Sequence, residues 1–379
     1  MSPTLDVPAA IAEATADQPA AAQALALAAA EPFHAYLLAG PPGSGKAVAA
    51  RALAAELLAD GSDDPDDARR RALADPSPHP DLTWLRPPGT QHLVETVRER
   101  VIAQIAYRPF EGERRVFVIE DADAMAEESQ NALLKTLEEP PAFAHLILVS
   151  AEPEALLETV RSRCRAVRFA RLGPDAVEAR LEGADSDAER RAAARLSGGD
   201  LGMASFLVTE EGRRLRAGVE ALARAVRRGE LADAPWTELA SAADAAGERE
   251  AGAVRERAAE EAEESAERSG PGARKRSREA EELAKRASRL ARNTTLDTGL
   301  GLLGSWMRDL AAVAEGGPEL VLNADRAAEL AQLAEGLDPR RARRAGELVM
   351  ETRRRLQVNV SEALALEALA YRLEYLLSR

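Results

Sequence analysis

The apolar run Ala35-Tyr36-Leu37-Leu38-Ala39 is too short for a helix and ends at a glycine, so it predicts a short buried strand. Three further runs of strand length, Leu82 to Leu85, Val116 to Ile119 and Leu146 to Ser150, are separated by helix-compatible sequence. Strands alternating with helices predict a parallel sheet covered by helices. The Ala- and Leu-rich stretch Lys46 to Leu58 supplies one such helix. Leu93 to Ile105 supplies another: Leu93, Val94, Val97, Val101, Ile102 and Ile105 recur at helical spacing, while Glu95, Arg98, Glu99 and Arg100 occupy the outward positions. Asp60 to Ser77, rich in Asp, Pro and Arg, reads as a mobile insertion or a short helix.

Beyond Phe169 the strand signals cease. Gly173-Pro174 opens a run of short helical patterns, interrupted at Ser197-Gly198-Gly199-Asp200 and reaching about Trp236. A charged, Ala-rich segment from about Ser241 to Arg292 follows, broken by Gly270-Pro271-Gly272. Its first half carries Glu260, Glu261, Glu263 and Glu264, and its second half Arg274, Lys275, Arg276, Arg278, Lys285, Arg286, Arg289 and Arg292. Such runs usually mark solvated helix faces, here a helical hairpin; the alternative is a contact for DNA phosphates or an acidic partner along 274–292. Helical periodicity returns after Leu296, in Leu300, Leu303, Trp306, Met307 and Leu310 and again in Leu364, Leu366, Leu369, Leu373 and Leu376.

A length of 379 residues exceeds a single ordinary core. With 46% hydrophobic residues but only 3% aromatic ones, the chain favours tightly packed, alanine-rich helices over an all-β architecture. The formal charge of -14 excludes a protein whose whole surface coats nucleic acid, while leaving room for a local basic path. Cys164 is the only cysteine, which rules out an intramolecular disulfide and a cysteine-cluster zinc site. With neither a leader pattern nor an apolar stretch of about 20 residues, the expectation is a soluble cytoplasmic protein.

The candidate chemistry begins directly after the first strand. Gly40-Pro41-Pro42-Gly43-Ser44-Gly45-Lys46 is a phosphate-binding loop whose glycines let backbone N–H groups wrap phosphates and whose lysine reaches the outer ones. Ala47 stands where a hydroxyl residue normally binds the magnesium ion. Glu120-Asp121, followed by Ala122-Asp123, emerges at the carboxyl end of a buried strand, beside the expected phosphate site. In a working hydrolase such groups hold magnesium and orient water.

In His34-Ala35-Tyr36, Ile119 to Met125, the run Asn131 to Pro141 and Ser162-Arg163-Cys164, the first half of the chain resembles the delta-prime subunit of the bacterial DNA polymerase III clamp loader, within the AAA+ superfamily. The helical tail is similar only in length and class. The resemblance implies a RecA-like AAA+ nucleotide-fold domain over 1–170, a helical lid over 171–236, a charged helical linker or hairpin over 237–293 and a C-terminal helical oligomerisation (collar) domain over 294–379. It implies that Arg163 is an arginine finger directed in trans at ATP in a neighbouring motor subunit. Partners implied are the motor subunits and the delta subunit, with the sliding clamp and primed DNA reached through the complex, and no membrane.

Several departures point to a degenerate nucleotide site in Gly40 to Ala47 with Glu120 and Asp121. Ala47 lacks the hydroxyl, Glu120-Asp121 reverses the usual acid order, and Gly202 falls where active relatives place a sensing arginine. Ser150 remains for the first sensor position. No cysteine lies between Leu58 and His79-Pro80-Asp81, where relatives often carry a zinc module, so no zinc is expected. The expectation is a loader subunit with no polymerase activity, little or no ATPase activity and at most weak ATP or ADP binding. The alternative is an active AAA+ ATPase: a motor subunit of the loader, a helicase loader or a branch-migration motor.

Overall fold

The computed structural model describes residues 6–87, 91–266, 273–356 and 361–378. They divide into two compact units, one drawn from residues 1–176 and 199–201, the other from 177–198 and 202–379.

The first unit is built on β1 (Ala35–Ala39), β2 (Leu82–Leu85), β3 (Arg115–Ile119), β4 (Ala144–Ser150) and β5 (Arg165–Arg168). All pairings are parallel and the order is β2-β3-β4-β1-β5. The register of β1 on β4 sets Ala35 opposite Leu146 and Ala39 opposite Ser150. Strands β1, β3 and β4 are buried along their whole length, as expected of a parallel sheet with both faces covered, and this is why they read as unbroken apolar runs.

Alternate side chains go to opposite faces. Tyr36, Leu38, Val116, Val118, Ile147 and Val149 share one core with α1 (Ala9–Ala14), α2 (Pro19–Ala30), α3 (Lys46–Ala59) and Ala72 of α4 (Pro65–Leu73). Leu37, Phe117, Ile119, Leu146 and Leu148 share the other with α5 (Val94–Val97), α6 (Glu127–Glu138) and α7 (Glu158–Arg161). Helix α3 is buried on nearly every side, and its alanines at 49, 50, 52, 54 and 55 let its backbone lie close to its neighbours.

The insertion between Asp60 and Ser77 contains α4, whose N-cap Asp64 accepts a hydrogen bond from the Asp67 amide at 3.1 Å. The helix expected over Leu93 to Ile105 starts as α5 and then widens into a π-helical turn, Arg98–Ile102, that still delivers Val97, Val101 and Ile105 to the core. Strand β5 carries no apolar signal, because only Val167 of its four residues is buried.

Helix α8 (Pro174–Arg180) crosses from one unit to the other. The second unit holds α9 (Asp187–Leu196), α10 (Leu201–Leu207, whose first residue belongs to the first unit), α11 (Glu210–Arg228), α12 (Thr237–Ala266), α13 (Ala273–Ala314), α14 (Ala327–Ala334), α15 (Pro339–Leu356) and α16 (Glu362–Leu377). Thr209 caps α11 by accepting from the Gly212 amide at 3.1 Å, and Gly229 ends it in a left-handed conformation. Leu300, Leu303, Trp306, Met307 and Leu310 of α13 are buried, as are Leu366, Leu369 and Leu373 of α16, whereas Leu364 is exposed.

Helices α12 and α13 pack against each other at Gly247, where a Cβ would press on Ser288 and Arg292. Arg255 pairs with Glu281 at 3.0 Å and Arg292 with Glu362 at 2.6 Å and with Asp244. Lys285 bonds Glu282 at 3.0 Å, and Arg278, Arg286 and Arg289 are exposed. The side chains of Arg274, Lys275 and Arg276 lie outside the described residues. Helix α13 runs unbroken through 293/294, so the expected division there falls inside one helix.

A network of buried charge joins α11 to the segment before and within α14. Arg216 donates to both carboxylate oxygens of Asp325, at 2.8 and 2.6 Å, and to Asn323 Oδ1 at 3.0 Å. Glu220 accepts from Arg326 at 3.0 Å and Arg224 at 3.2 Å and lies 3.2 Å from Arg216 Nε.

All four histidines, His34, His79, His92 and His145, have pKa values lowered from about 6.5, in each case chiefly by burial. A histidine whose folded pKa is depressed binds protons more readily when unfolded. Its contribution is therefore fully present above pH 6.5 and is lost as the pH falls toward the folded value. The urea midpoint is expected to be lower at pH 5.5 than at pH 7.5, and equal midpoints would contradict this reading.

Candidate functional site

The glycine loop leaves β1 at Gly40, whose amide donates to Ser150 O at 3.2 Å. A Cβ on Gly40 would overlap the Phe169 carbonyl. Gly43 and Gly45 have φ of +65° and +90°, values that only glycine adopts without strain. The loop is closed on itself, with Ser44 Oγ donating to Pro41 O at 2.8 Å and Lys46 Nζ donating to the same oxygen at 2.6 Å. Gln18 straps it to the segment after β5, bonding Ala170 through both O and N at 2.7 and 2.9 Å and reaching Ser44 O at 3.4 Å. Burial lowers the Lys46 pKa against the opposing pull of Asp123, Asp121 and Asp200.

At the end of β3 the two adjacent acids part company. Glu120 Oε2 accepts from Trp84 Nε1 at 2.7 Å and from Arg86 Nε at 2.8 Å. Arg86 in turn holds Asp75 at 2.7 Å, and Asp75 holds Arg51 at 3.1 Å. The Glu120 carboxylate is thus committed to Trp84 on β2 and to Arg86 just after it. Asp121 takes a left-handed conformation at φ +50°, and its pKa is raised by burial and by the charges of Glu120 and Asp123. Asp123 Oδ1 accepts from the Ala151 amide at 3.0 Å, at the end of β4. Ser150 is fully buried and its hydroxyl has no hydrogen-bond partner.

The loop's polar groups are engaged with its own backbone. The lysine that should reach an outer phosphate is bonded to the loop's own carbonyl, and Ala47 brings no hydroxyl to a metal. The carboxylate of Asp200 also abuts Gly43, where an added Cβ would overlap it. Gly202 lies in α10. Among the described residues no group of three metal-ligating side chains could hold an ion; His79 Nδ1 accepts from the Asp81 amide at 3.2 Å instead.

Arg163 follows α7 and is separate from this constellation. Its Nη1 donates to Thr159 O at 2.9 Å and its Nη2 to Glu138 Oε1 at 2.7 Å, at the end of α6. About a third of the side chain stays exposed, at 35%. Cys164 beside it packs against the core, and burial pushes its thiol up to about 12, which leaves no thiolate at neutral pH.

Two residues at this site escaped the sequence reading. Gln18 acts across 152 positions and has no local signature. Asp200 is delivered by Gly198 and Gly199, both at positive φ, so the double glycine was the available signal.

A parallel sheet ordered β2-β3-β4-β1-β5, with a glycine loop after β1 and acids after β3, defines an AAA+ domain of the RecA-like class. Residues 18–173 match the family described as DNA polymerase III, delta subunit. Over 150 residues the chain is 33% identical to the DNA polymerase III subunit delta' of Bacillus subtilis, covering 39% of this chain and 45% of that one. Over 138 residues it is 38% identical to its counterpart in Pseudomonas aeruginosa, covering 35% and 41%. Over this stretch the chain is similar to delta-prime clamp-loader subunits. It spans less than half the length of these relatives. It is also 32% identical over 168 residues to the DNA polymerase III subunit gamma/tau of Mycobacterium bovis, covering 39% and 26%. A gamma subunit-related protein from Thermotoga maritima superposes over 91% of this chain and 96% of its own at 15% identity, with a TM-score of 0.41, too loose a likeness to carry an argument.

Proposed function

We propose that the chain serves as a delta-prime-type subunit of a cytoplasmic DNA polymerase III clamp loader, assembled with motor and delta subunits to place a sliding clamp on primed DNA. In this reading it turns over no ATP itself and offers Arg163 to the ATP of a neighbouring subunit. The observation that carries the first half is the closed loop: Lys46 is bonded to Pro41 O, beside an Ala47 that cannot complete a magnesium shell. The sequestered Glu120 supports it, since a carboxylate shared by Trp84 and Arg86 is poorly free to orient water.

A second reading, an active AAA+ motor, draws on Asp121 and Asp123, which both act electrostatically on Lys46. The test is the steady-state ATPase rate of the purified chain with magnesium and primed DNA. Background turnover is expected, with DNA-dependent turnover rising only when motor subunits are added and co-elute with the chain. Robust turnover by the chain alone would overturn the proposal in favour of the motor.

A further inference from the structure

We propose that Asp200 is an internal substitute for phosphate, a carboxylate seated on the glycine loop that keeps nucleotide phosphates out. Three observations meet at this residue. Gly43 faces the Asp200 carboxylate so closely that no side chain fits between them, so the left-handed glycine serves the carboxylate as well as the turn. The Leu201 amide donates to Gly43 O at 3.4 Å, tying the residue after Asp200 to the loop. Gly199 brings the segment in against Leu172, where a Cβ would press on the Leu172 backbone, so its position is fixed from both ends.

The chemistry follows from charge and space. A glycine loop at a helix N-terminus attracts anions because its amides and the helix dipole point toward them. Here the Asp200 carboxylate, covalently part of the chain, already lies against the loop at Gly43, so an incoming diphosphate would have to displace it and meet its charge. Asp121 and Asp123, which act with Asp200 on Lys46, add to that repulsion. The residue thus sets the ligand preference of the loop: with Asp200 seated, phosphate is excluded, and with its charge removed, the loop regains affinity for the shared chemistry of pyrophosphate and ADP.

This inference rests on the reading of the loop as one that does not turn over ATP. The experiment titrates inorganic pyrophosphate, and separately ADP with magnesium, into the purified full chain and its variants by calorimetry. Asp200→Asn keeps the shape and removes the charge, while Asp200→Ala removes both. At least a tenfold gain in affinity over the unaltered chain is expected for Asp200→Asn, and adding Lys46→Ala is expected to abolish it. Should Asp200→Ala lose its fold by circular dichroism, the near-isosteric Asn variant decides. Unchanged affinity in a folded Asp200→Asn chain, or a gain that survives Lys46→Ala, would overturn the inference. ATP turnover by the unaltered chain would instead overturn the proposed function, so the two failures are distinguishable.

Discussion

Arg163→Ala is expected to leave the chain folded and to lower the DNA-dependent ATP turnover of a reconstituted loader. Folding should survive because Arg163 contributes no core surface; its pairing with Glu138, both side chains partly exposed at 35% and 51%, belongs to a class of ion pair worth about 0–1 kcal/mol. If Arg163 acts as the proposed finger, turnover should fall, because a planar guanidinium offered across a subunit boundary stabilises charge that develops on phosphate oxygens, an effect of about a thousandfold or more at a single site. Arg163→Lys should rescue poorly, because an ammonium is a point charge without the two-pronged geometry. ATP turnover and clamp loading, compared after equal assembly has been confirmed, decide the matter. Normal rates for both variants would reduce Arg163 to a surface residue.

The sheet was legible wherever burial was two-sided. Strands β1, β3 and β4 are apolar along their length because helices cover both faces, and that is the pattern a sequence exposes most directly. Strand β5 escaped because an arginine at each end of Arg165–Arg168 hides a pairing made by backbone alone, with Tyr36 to Ala39 of β1. Helix α5 was legible, but the π-helical turn that continues it was not, since the same apolar positions satisfy either geometry.

At the site, residue types were readable and directions were not. The loop glycines and Lys46 stand out as a motif, yet nothing local shows the lysine turning back on Pro41 O. Glu120 and Asp121 are adjacent in sequence, but their carboxylates answer to different surroundings: Trp84 and Arg86 hold the first, while burial and the charges of Glu120 and Asp123 govern the second. Trp84 and Arg86 come from β2 and the turn after it, and only the folded sheet brings them to the end of β3.

Glu220→Gln is expected to destabilise the helical unit by about 3–5 kcal/mol, the usual result of removing one partner from a buried ion pair. Glu220 is 4% exposed and faces three guanidinium groups, those of Arg216, Arg224 and Arg326. Glutamine preserves the volume but leaves those cations without their shared anion, and Arg216, itself only 10% exposed, cannot turn to water. Asp325 holds Arg216 from the other side, which should keep the loss within the stated range. Glu210→Gln on the same helix is the contrast: its pairing with Arg214 is 80% and 77% exposed, so its removal should barely move the midpoint. Replacing both buried partners, as Arg216→Met with Glu220→Leu, should cost less than Glu220→Gln alone, because an apolar pair of similar volume leaves no charge stranded and Asp325 retains Arg326 at 3.1 Å. Urea denaturation of the full chain, followed by circular dichroism, measures all three. A Glu220→Gln midpoint equal to that of the unaltered protein would mean that water reaches these arginines and that the network is a surface feature rather than a buried one.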